Sequence, residues 1–566
     1  MDRRTFLKKA GETGLLFGLG GFQILSPACH KSYDFDLIVK GGSIFDGSSE
    51  AAFTADLGIK NKRILAIGNL QEFTAYRVLD VDGLTVAPGF IDVHTHTDRR
   101  ILVNPRAESK IRQGVTTEIL GQDGGSMAPL TEEMRVARHK RYQERYGLSV
   151  DWHDFEGYFQ AVTRQGTAVN LGSMVGQGTL RRCVLGMVDR KPSSEELAQI
   201  QELARQALDQ GVLGISSGLE YTPGGFASTE EITELCSVMQ GTSGLYATHI
   251  RNEDDGVVGA VAEAIAIAKG AGVGLHISHL KCQGQRNWSK LDEIFALIDQ
   301  AQSESFSVTF DRYPYVAYST GLASLMPIWS REGGTEKFIE RLNNPEVLSK
   351  IKAATLNKIQ LLGSWDSVMI TSVSLEKNKA YQGKTVAEIV AGTNQDGFEF
   401  TRSLIIEERN RVGMVGFGMS EENTARILSH PKCMPASDGS ALATYGPLSE
   451  GNPHPRSYGT FPRVLSKYVR EQNAMSLAEA IRKMTSLPAQ RFGLVDRGQI
   501  ATKFMADLVV FDPQTIQDRA TFSEPHQYPT GIEFVLVNGE VVIEKGAHSG
   551  NLPGMILKGR FSGKGA

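Results

Sequence analysis

The sequence predicts an α/β fold: a (β/α)8 TIM barrel, a small β-sandwich domain formed from both chain ends, and an insertion before the last barrel strand. Three observations support this prediction. Eight short apolar runs alternate with helical patterns, β-type alternation occurs near both ends, and one connection is far longer than a barrel needs. The predicted domains are an export signal over 1–32, the sandwich over 33–87 and 490–566, and the barrel over 88–489.

The N-terminus has the layout of an export signal. Arg3 and Arg4 begin a basic segment, and residues 14–25 form a short, uncharged, mostly apolar run. That run is too short to span a bilayer comfortably. The paired arginines resemble a twin-arginine signal, which directs a protein to export. Cys29 loosely matches a lipoprotein cleavage site. We therefore expect an exported, periplasmic or cell-envelope protein, with a lipid anchor at Cys29 left open beside the alternative of an ordinary N-terminal helix.

Both ends of the remaining chain alternate apolar and polar residues, as antiparallel strands do. The N-terminal segments are DFDLIVKGGSIFDG and DLGIKNKRILAIG, and the C-terminal segments are ADLVVFDPQTI and GIEFVLVNGEVVIEKG. Asn538-Gly539 predicts a tight hairpin turn. Because the two segments flank one long middle section, they suggest a sandwich assembled from both ends.

The middle section alternates buried-looking strands with helical patterns such as SSEELAQIQELARQALDQG, as a parallel barrel requires. The stretch between Tyr315 and Pro431 is too long for one connection, which predicts an insertion over about 320–430 that reaches over the barrel mouth. The eight candidate strands are TVAPGFIDVHTH, GVTTEILGQDG, AVNLGSMVGQG, GVLGISSGLEY, GLYATHIRNE, GVGLHISHLK, SVTFDRYPY and KCMPASDGS.

Composition excludes little but gives two expectations. The 566-residue chain has a formal net charge of -4, so it lacks the basic field that a nucleic-acid partner would favour. Its partner is expected to be a small-molecule substrate, and the oligomeric state is left open. Four scattered cysteines without a CxxC motif predict core residues rather than disulfides or a metal site; they are Cys183, Cys236, Cys282 and Cys433.

Polar residues cluster at the ends of the candidate strands, where a barrel places its active site. The chain has only 12 histidines, and four of them fall at three such ends, with carboxylates at two more. A single histidine would be read as a satisfied core residue, but the joint occurrence predicts a metal site. The strand-end residues are His94, His96, Asp123, Tyr221, His249, His279 and Asp438.

These residue types suit zinc. Neutral imidazole and carboxylate bind Zn²⁺, and a catalytic zinc keeps one position open for water. His94 and His96 lie two apart in a strand, so both can point into the barrel while Thr95 points away. Asp123 can bind one ion or bridge two, and Asp438 can accept a proton from the attacking water.

The ordered set of motifs resembles the amidohydrolase superfamily and, within it, the N-acyl-D-amino-acid deacylases, or D-aminoacylases. The similarity runs from about residue 35 to 560. HTH alone is a weak signal, but the whole ordered set is specific. The motifs are HTH, GVTTEILGQDGGSMAP, GISSGLEYTPGGFAS, YATHIRNE, ISHLK, DRYPY, HPRSYGTFPR and IRKMTSLPAQRFGLVDRGQI.

The resemblance implies hydrolysis of the amide bond between an acyl group and a D-amino acid. It implies that Asp438 is the catalytic carboxylate and that Arg456 and Tyr221 bind the substrate carboxylate, for which an arginine fork is well shaped. Lys281 in SHLK either touches substrate or forms a salt bridge. The implied ligands of one or two zinc ions are His94, His96, Asp123, His249 and His279.

Two positions depart from the family pattern. Asp123 stands where many relatives carry a cysteine ligand, and its harder oxygen can alter metal affinity, preference or occupancy. Gln177 stands where relatives often have histidine. This second difference bears on a contact near the substrate rather than on the chemistry.

Two alternatives remain at this point. A hydantoinase-like or dihydroorotase-like enzyme would hydrolyse cyclic amides, but such enzymes usually carry a carboxylated lysine at the end of the fourth strand, where this chain reads GVLGISSGLEY. A non-catalytic binding protein on the same fold is the second alternative. Metal analysis would separate it from an enzyme.

Overall fold

The computed structural model describes residues 33–559, and the predicted export signal with Cys29 lies outside this range. Strands from both ends of the described chain form one nine-stranded sheet. Its N-terminal strands are β1 (Phe35–Ile44), β2 (Phe53–Lys60), β3 (Arg63–Gly68), β4 (Ala75–Asp80) and β5 (Thr85–Pro88). Its C-terminal strands are β18 (Leu508–Phe511), β19 (Ile532–Val537), β20 (Glu540–Glu544) and β21 (Ala547–His548).

The two ends meet where β5 pairs antiparallel with β18. The predicted hairpin at Asn538-Gly539 is confirmed between β19 and β20, with both residues at positive φ. One detail differs from the expectation of antiparallel strands, because β1 pairs in parallel with β4 and β5. Alternation in the sequence reports which side chains are buried, but it carries no information about strand direction.

All eight predicted barrel strands are present, and the third is divided in two. The strands form parallel sheets in the orders β6-β7-β8 and β9-β10-β11-β12-β13-β17. Their bounds are β6 (Phe90–Asp92), β7 (Val115–Leu120), β8 (Asn170–Ser173), β9 (Val175–Gly176), β10 (Gly214–Gly218), β11 (Leu245–His249), β12 (Gly274–Ile277), β13 (Val308–Arg312) and β17 (Cys433–Pro435).

Hydrogen bonds connect the last barrel strand with the first. Thr95 and Gly439 form a parallel bridge, and the Asp438 amide donates to the His94 carbonyl at 2.8 Å. The strand ends that carry the predicted site residues therefore lie side by side, which is the arrangement of a TIM-barrel mouth.

Helices cover the strands. The helix predicted from SSEELAQIQELARQALDQG is confirmed, and Ser193 and Glu196 form a capping box at its start. The helices between β6 and β13 are α1 (Arg100–Val103), α2 (Glu108–Ile111), α3 (Glu132–Tyr146), α4 (Phe155–Gln165), α5 (Gln177–Leu185), α6 (Ser194–Asp209), α7 (Thr229–Cys236), α8 (Val257–Ala271) and α9 (Leu291–Ser303).

The long connection before β17 contains an antiparallel sheet of three strands in the order β14-β16-β15, with its own buried apolar cluster. The strands are β14 (Ala317–Gly321), β15 (Val368–Ser372) and β16 (Gly413–Phe417). The helices of this segment and of the following chain are α10 (Thr335–Leu342), α11 (Pro345–Leu362), α12 (Val386–Val390), α13 (Gly397–Glu407), α14 (Glu421–Ser429), α15 (Arg456–Arg463), α16 (Leu477–Met484) and α17 (Ser486–Arg491).

The four cysteines of the described chain are free, and all except the partly buried Cys183 lie in the core. This matches the expectation that they are packing residues. Across residues 33–559, no helix combines the length and apolar character needed to cross a membrane.

A buried ion pair joins the first and last barrel strands beneath the mouth. Lys110 on α2 donates to Asp92 at 2.6 Å and also bonds the Ser437 hydroxyl. Asp92 accepts from the Ser437 amide at 2.9 Å and from its hydroxyl at 2.5 Å. Lys110 and Asp92 have no exposed side-chain surface. Such a pair is weak evidence of net stabilisation, but removing one partner leaves a buried charge uncompensated.

Replacing Lys110 with methionine should therefore destabilise the fold by about 3–5 kcal/mol. The expected result is a lower midpoint of urea unfolding, measured by circular dichroism. Lys350→Met, a matched loss of charge on the exposed side of α11, is the control and should leave the midpoint almost unchanged. Equal midpoints for Lys110→Met and the unmodified protein would contradict this role.

Candidate metal centre and active site

His94 and His96 follow β6 and point toward the same cluster, as their spacing predicts. His94 is fully buried, and its Nε2 lies 3.4 Å from Asp123 Oδ1. His96 is partly exposed, and its Nε2 lies 3.4 Å from Asp123 Oδ2 and 3.0 Å from Asp438 Oδ1. Thr95 points elsewhere and donates to Glu118 Oε2 at 2.6 Å.

The remaining two predicted histidine ligands lie across the barrel mouth. His249 ends β11 and His279 follows β12, and their rings approach within 2.9 Å between Nδ1 of His249 and Nε2 of His279. Asp123 Oδ1 lies 3.6 Å from His279 Nε2, and Asp123 Oδ2 lies 3.9 Å from His249 Nδ1. Both histidines are buried.

Asp123 lies between two groups of potential ligands. One group comprises His94, His96, Asp123 and Asp438, and the other comprises Asp123, His249 and His279; within each group the ligand atoms lie within 4.8 Å of one another. The structure thus brings all five predicted ligands together. Because one carboxylate belongs to both groups, the arrangement can hold one ion or two bridged ions.

The backbone of the site is strained at three predicted residues. Asp123, His279 and Asp438 have φ values of 53°, 35° and 46°. Left-handed backbone is uncommon for residues with a side chain and clusters at functional sites. Close packing fixes the Asp123 turn, since a Cβ on Gly218 of β10 would lie 2.2 Å from the Asp123 carbonyl oxygen.

The cluster fits a cation better than it fits a hydrogen-bond network. Three buried atoms within it have no hydrogen-bond partner among the described residues: His94 Nε2, Asp123 Oδ1 and His249 Nε2. His94 Nε2 and Asp123 Oδ1 face each other at 3.4 Å, whereas His249 Nε2 lies 3.5 Å from Glu220. Buried polar atoms are normally satisfied, so the facing pair indicates a site for a cation. A set of imidazole nitrogens and carboxylate oxygens suits Zn²⁺.

The pKa shifts of His94 and Asp123 also indicate a site for a cation. Burial alone would lower the pKa of His94, but the charges of Asp311, Asp123 and Asp438 raise it well above its ordinary value. Burial alone would raise the pKa of Asp123, but His94 and His279 hold it well below its usual range. The carboxylates thus create a potential that attracts positive charge, and a divalent cation would supply it.

Two buried carboxylates that sequence reasoning missed orient the ligands. Asp311, at the end of β13, lies 3.2 Å from His94 Nδ1 and accepts from the His279 amide at 2.9 Å. Glu253 lies 3.0 Å from His279 Nδ1 and also binds Lys281. Carboxylates behind metal-binding histidines fix the ring orientation and the tautomer.

A signal for these two residues was present in the sequence. Asp311 begins DRYPY at the seventh strand end, and Glu253 closes HIRNE after the fifth. A third carboxylate, Glu220, lies 3.5 Å from His249 Nε2 and belongs to a further group of potential ligands with His249 and Glu253.

Arg456 opens α15 and contacts the predicted catalytic carboxylate itself. Its Nη1 donates to Asp438 Oδ2 at 2.6 Å, and its Nη2 donates to the Ser319 carbonyl at 3.3 Å. The guanidinium also lies 4.9 Å from the centroid of the Tyr313 ring. Burial alone would raise the pKa of Asp438, but Arg456 and then His94 hold it well below its usual range, so the carboxylate is ionised.

Two cavities meet at the cluster. The larger one, of about 460 Å³, reaches outward past His96, and the smaller one, of about 20 Å³, lies beside Lys281 and Tyr313. Tyr221 lines both cavities, and its hydroxyl lies 3.3 Å from Thr320 Oγ1. Ser319, Thr320 and Asp438 are also common to both.

Lys281 and Gln177, the two remaining motif residues, differ in their contacts with the site. Lys281 is buried and bonds Glu253 and His279 Nδ1, the latter at 2.7 Å. It thus forms the salt bridge that the sequence left open. Gln177 is buried beside Gly224 and lines neither cavity.

Comparison with known proteins places this architecture in a family. The model of the family described as "Amidohydrolase family" matches residues 77–294 and 423–543. A D-aminoacylase from Alcaligenes xylosoxydans xylosoxydans is 37% identical over 526 residues, which cover 93% of this chain and 98% of that protein.

Solved structures of similar proteins support the same family assignment. The N-acyl-D-glutamate deacylase of Bordetella bronchiseptica, complexed with zinc and a phosphonate mimic of the tetrahedral intermediate, superposes with a TM-score of 0.78 and 34% identity over 93% of this chain and 99% of that one. A D-aminoacylase structure described for its binuclear metal centre gives a TM-score of 0.78 and 35% identity, over 93% and 100%. The chain belongs to the amidohydrolase family, in the group that contains the D-aminoacylases and N-acyl-D-glutamate deacylases.

Proposed function

We propose that this chain is a zinc-dependent hydrolase that cleaves the amide bond of N-acyl-D-amino acids and releases a carboxylate and a free D-amino acid. The observation that carries the proposal is that Asp123 belongs to two groups of potential ligands, with its orphaned Oδ1 facing the orphaned His94 Nε2 at 3.4 Å. The names of the similar proteins, which act on this class of substrate, support it.

The residues that would hold one or two ions are Asp123 and the four histidines around it, His94, His96, His249 and His279. When bound, zinc polarises the carbonyl of the scissile amide and makes water a nucleophile at neutral pH. Asp311 and Glu253 hold the histidine rings toward this point. His94, His249 and His279 are buried, and burial strengthens electrostatic interactions between these residues and the carboxylates.

Asp438 is the residue placed to move the proton. Its Oδ2 is held by Arg456 at 2.6 Å, which leaves Oδ1 directed at the cluster, 3.0 Å from His96 Nε2. Asp438 takes the proton from the attacking water as its oxygen adds to the acyl carbon. It then delivers that proton to the amine nitrogen as the C–N bond breaks, acting first as base and then as acid.

Arg456 and Tyr221 are proposed to bind the substrate carboxylate. Arg456 Nη2 makes only the long 3.3 Å contact with a carbonyl, so it remains able to donate to an incoming carboxylate. Tyr221 adds its hydroxyl, which lies beside Thr320, the residue next to the Ser319 that Arg456 contacts. Fixing the carboxylate on one side of the cluster determines which enantiomer presents its amide to Asp438.

The structure favours linear over cyclic amides. β10, the fourth barrel strand, spans Gly214–Gly218 and contains no lysine that could be carboxylated. A non-catalytic role is disfavoured by the complete set of ligands around Asp123.

We further propose export by the twin-arginine route, with Cys29 as the site of a lipid anchor. The support is the sequence of residues 1–32 alone: the Arg3-Arg4 pair, the short apolar run and the cysteine after small residues.

A substrate screen tests the proposed reaction. N-acetyl-D-amino acids should be hydrolysed with added zinc and not after chelation. Their L-counterparts should react at least about 100-fold more slowly, because binding of the substrate carboxylate by Arg456 and Tyr221 favours one enantiomer. Amine release measures the rate. Turnover confined to L-substrates or to cyclic amides would overturn the proposal.

Asp438→Asn should retain zinc and lose about 10²–10⁴-fold in kcat, the usual contribution of a general acid–base group. Metal content measured by mass spectrometry and kcat on the best N-acetyl-D-amino acid report the two effects separately. Asp123→Asn is the matched comparison, because it should lower the zinc content as well. Near-normal kcat in Asp438→Asn would exclude the assigned role.

Export is testable by fractionation of cells that express the full chain. The unmodified chain should be found in the cell envelope, and Arg3→Lys/Arg4→Lys should hold it in the cytoplasm because the paired arginines are the address. Cys29→Ala should convert membrane-bound protein to soluble exported protein. An unchanged distribution in the double lysine variant would refute the proposed route.

A further inference from the structure

The larger cavity at the barrel mouth has an arginine-rich outer wall. Its inner end is formed by His96, Asp123 and Asp438 of the metal cluster. The outer wall carries Arg99, Arg138 and Arg141. At about 460 Å³ the cavity offers far more room than an acetyl group occupies.

Two elements place these arginines together. Arg99 comes directly after the HTHTD stretch that carries His94 and His96. Arg138 and Arg141 lie one turn apart on α3, so they share one helix face with Tyr142, which also lines the cavity. The helix thus presents two guanidinium groups to the space outside the metal cluster.

None of these three arginines forms an ion pair with any residue in the range 33–559. Their neighbours on α3 do, since Arg135 pairs with Glu132 and Arg145 pairs with Glu450. Arg138 instead donates to the neutral carbonyl of Met127 at 2.9 Å. Arg99 and Arg138 are partly buried and Arg141 is exposed. A partly buried cation without a counter-ion is unfavourable, and an anionic ligand would relieve it.

The carboxylates on this cavity do not supply that counter-ion. Asp123 and Asp438 face the metal cluster, and Asp98 accepts from the Gly121 amide at 2.9 Å. Burial lowers the pKa of Arg138, and Arg141 lowers it further against the opposing effect of Tyr142. Burial alone would also lower the pKa of Arg99, but Tyr142 and Tyr146 raise it.

The position of Arg456 determines whether the acyl part or the amino-acid part of the substrate lies against the arginine-rich wall. Arg456 contacts Ser319, which is common to both cavities, and its guanidinium lies over the ring of Tyr313, which lines only the smaller one. An α-carboxylate at Arg456 places the amino-acid part on that side of Asp438. The acyl part then extends into the larger cavity toward the arginines.

We propose that the preferred acyl group ends in a carboxylate, so that the substrates are N-(carboxyacyl)-D-amino acids such as N-succinyl or N-glutaryl derivatives held by Arg99, Arg138 and Arg141. This inference rests on the proposed hydrolysis of N-acyl-D-amino acids and names the acyl group of that reaction. The chemistry of bond cleavage is unchanged.

The test compares N-succinyl and N-succinamoyl derivatives of the D-amino acid that is hydrolysed fastest as its N-acetyl derivative. The two acyl groups differ only in a terminal carboxylate or amide. With the zinc-loaded full chain, kcat/KM should be at least about 10-fold higher for the succinyl substrate, and the preference should decline with added salt. Equal values for the two substrates would overturn the inference.

Variants locate the preference. Arg138→Gln/Arg141→Gln should bring the succinyl-to-succinamoyl ratio of kcat/KM close to one, and the exposed Arg141→Gln alone should lower it if the double variant folds poorly. Lys140→Gln removes the same charge from an exposed position on α3 that lines neither cavity and should keep the ratio. An undiminished ratio in the arginine variants would also overturn the inference.

A second pair of substrates tests whether the arginines bind the acyl group or the amino-acid side chain. It also separates failure of this inference from failure of the proposed function. If the double variant instead lowers the ratio of N-acetyl-D-glutamate to N-acetyl-D-glutamine, the arginines bind the amino-acid side chain and the acyl assignment is wrong. Hydrolysis of N-acetyl-D-amino acids without any succinyl preference refutes this inference alone. Absence of hydrolysis of every N-acyl-D-amino acid refutes the proposed function as well.

Discussion

The need to hold several carboxylates close to four imidazoles at the barrel mouth governs the arrangement of the surrounding residues. Asp123, Asp438 and Asp311 contact the same group of histidines, and like charges at such distances are tolerated only with positive charge between them. A metal ion would supply that charge at the centre. Lys281, Lys110 and Arg456 supply it at the edges, each paired with a different buried carboxylate.

Backbone packing fixes the position of Asp123, the carboxylate that belongs to both groups of potential ligands. Asp123 has a left-handed conformation in a turn pressed against the strand end at Gly218, where a side chain would collide with its carbonyl. Strain of this kind persists only when the surroundings determine it. Because the turn is fixed, the Asp123 carboxylate reaches both groups of potential ligands and offers each of them a hard oxygen donor.

The connection before the last barrel strand divides the space above the cluster. Ser319 and Thr320 on β14 lie between the two cavities, together with Tyr221 and Asp438. One side is small and lined by Lys281 and Tyr313, and the other is large and lined by arginines. A substrate that spans the cluster therefore meets two different environments, and the position of Arg456 distinguishes its two ends.

The sequence by itself determined the strand set, the hairpin at Asn538-Gly539 and the residues around the metal position. Strand ends of a parallel barrel converge, so His94, Asp123 and His279 could be grouped from position alone. Strand direction in the terminal sheet was not readable, because alternation encodes burial only. The tertiary structure decided the supporting roles of Asp311 and Glu253, the contact of Arg456 with Asp438 and, within residues 33–559, the lack of an ion pair at Arg138. Each depends on the distance between side chains remote in sequence, which no local pattern records.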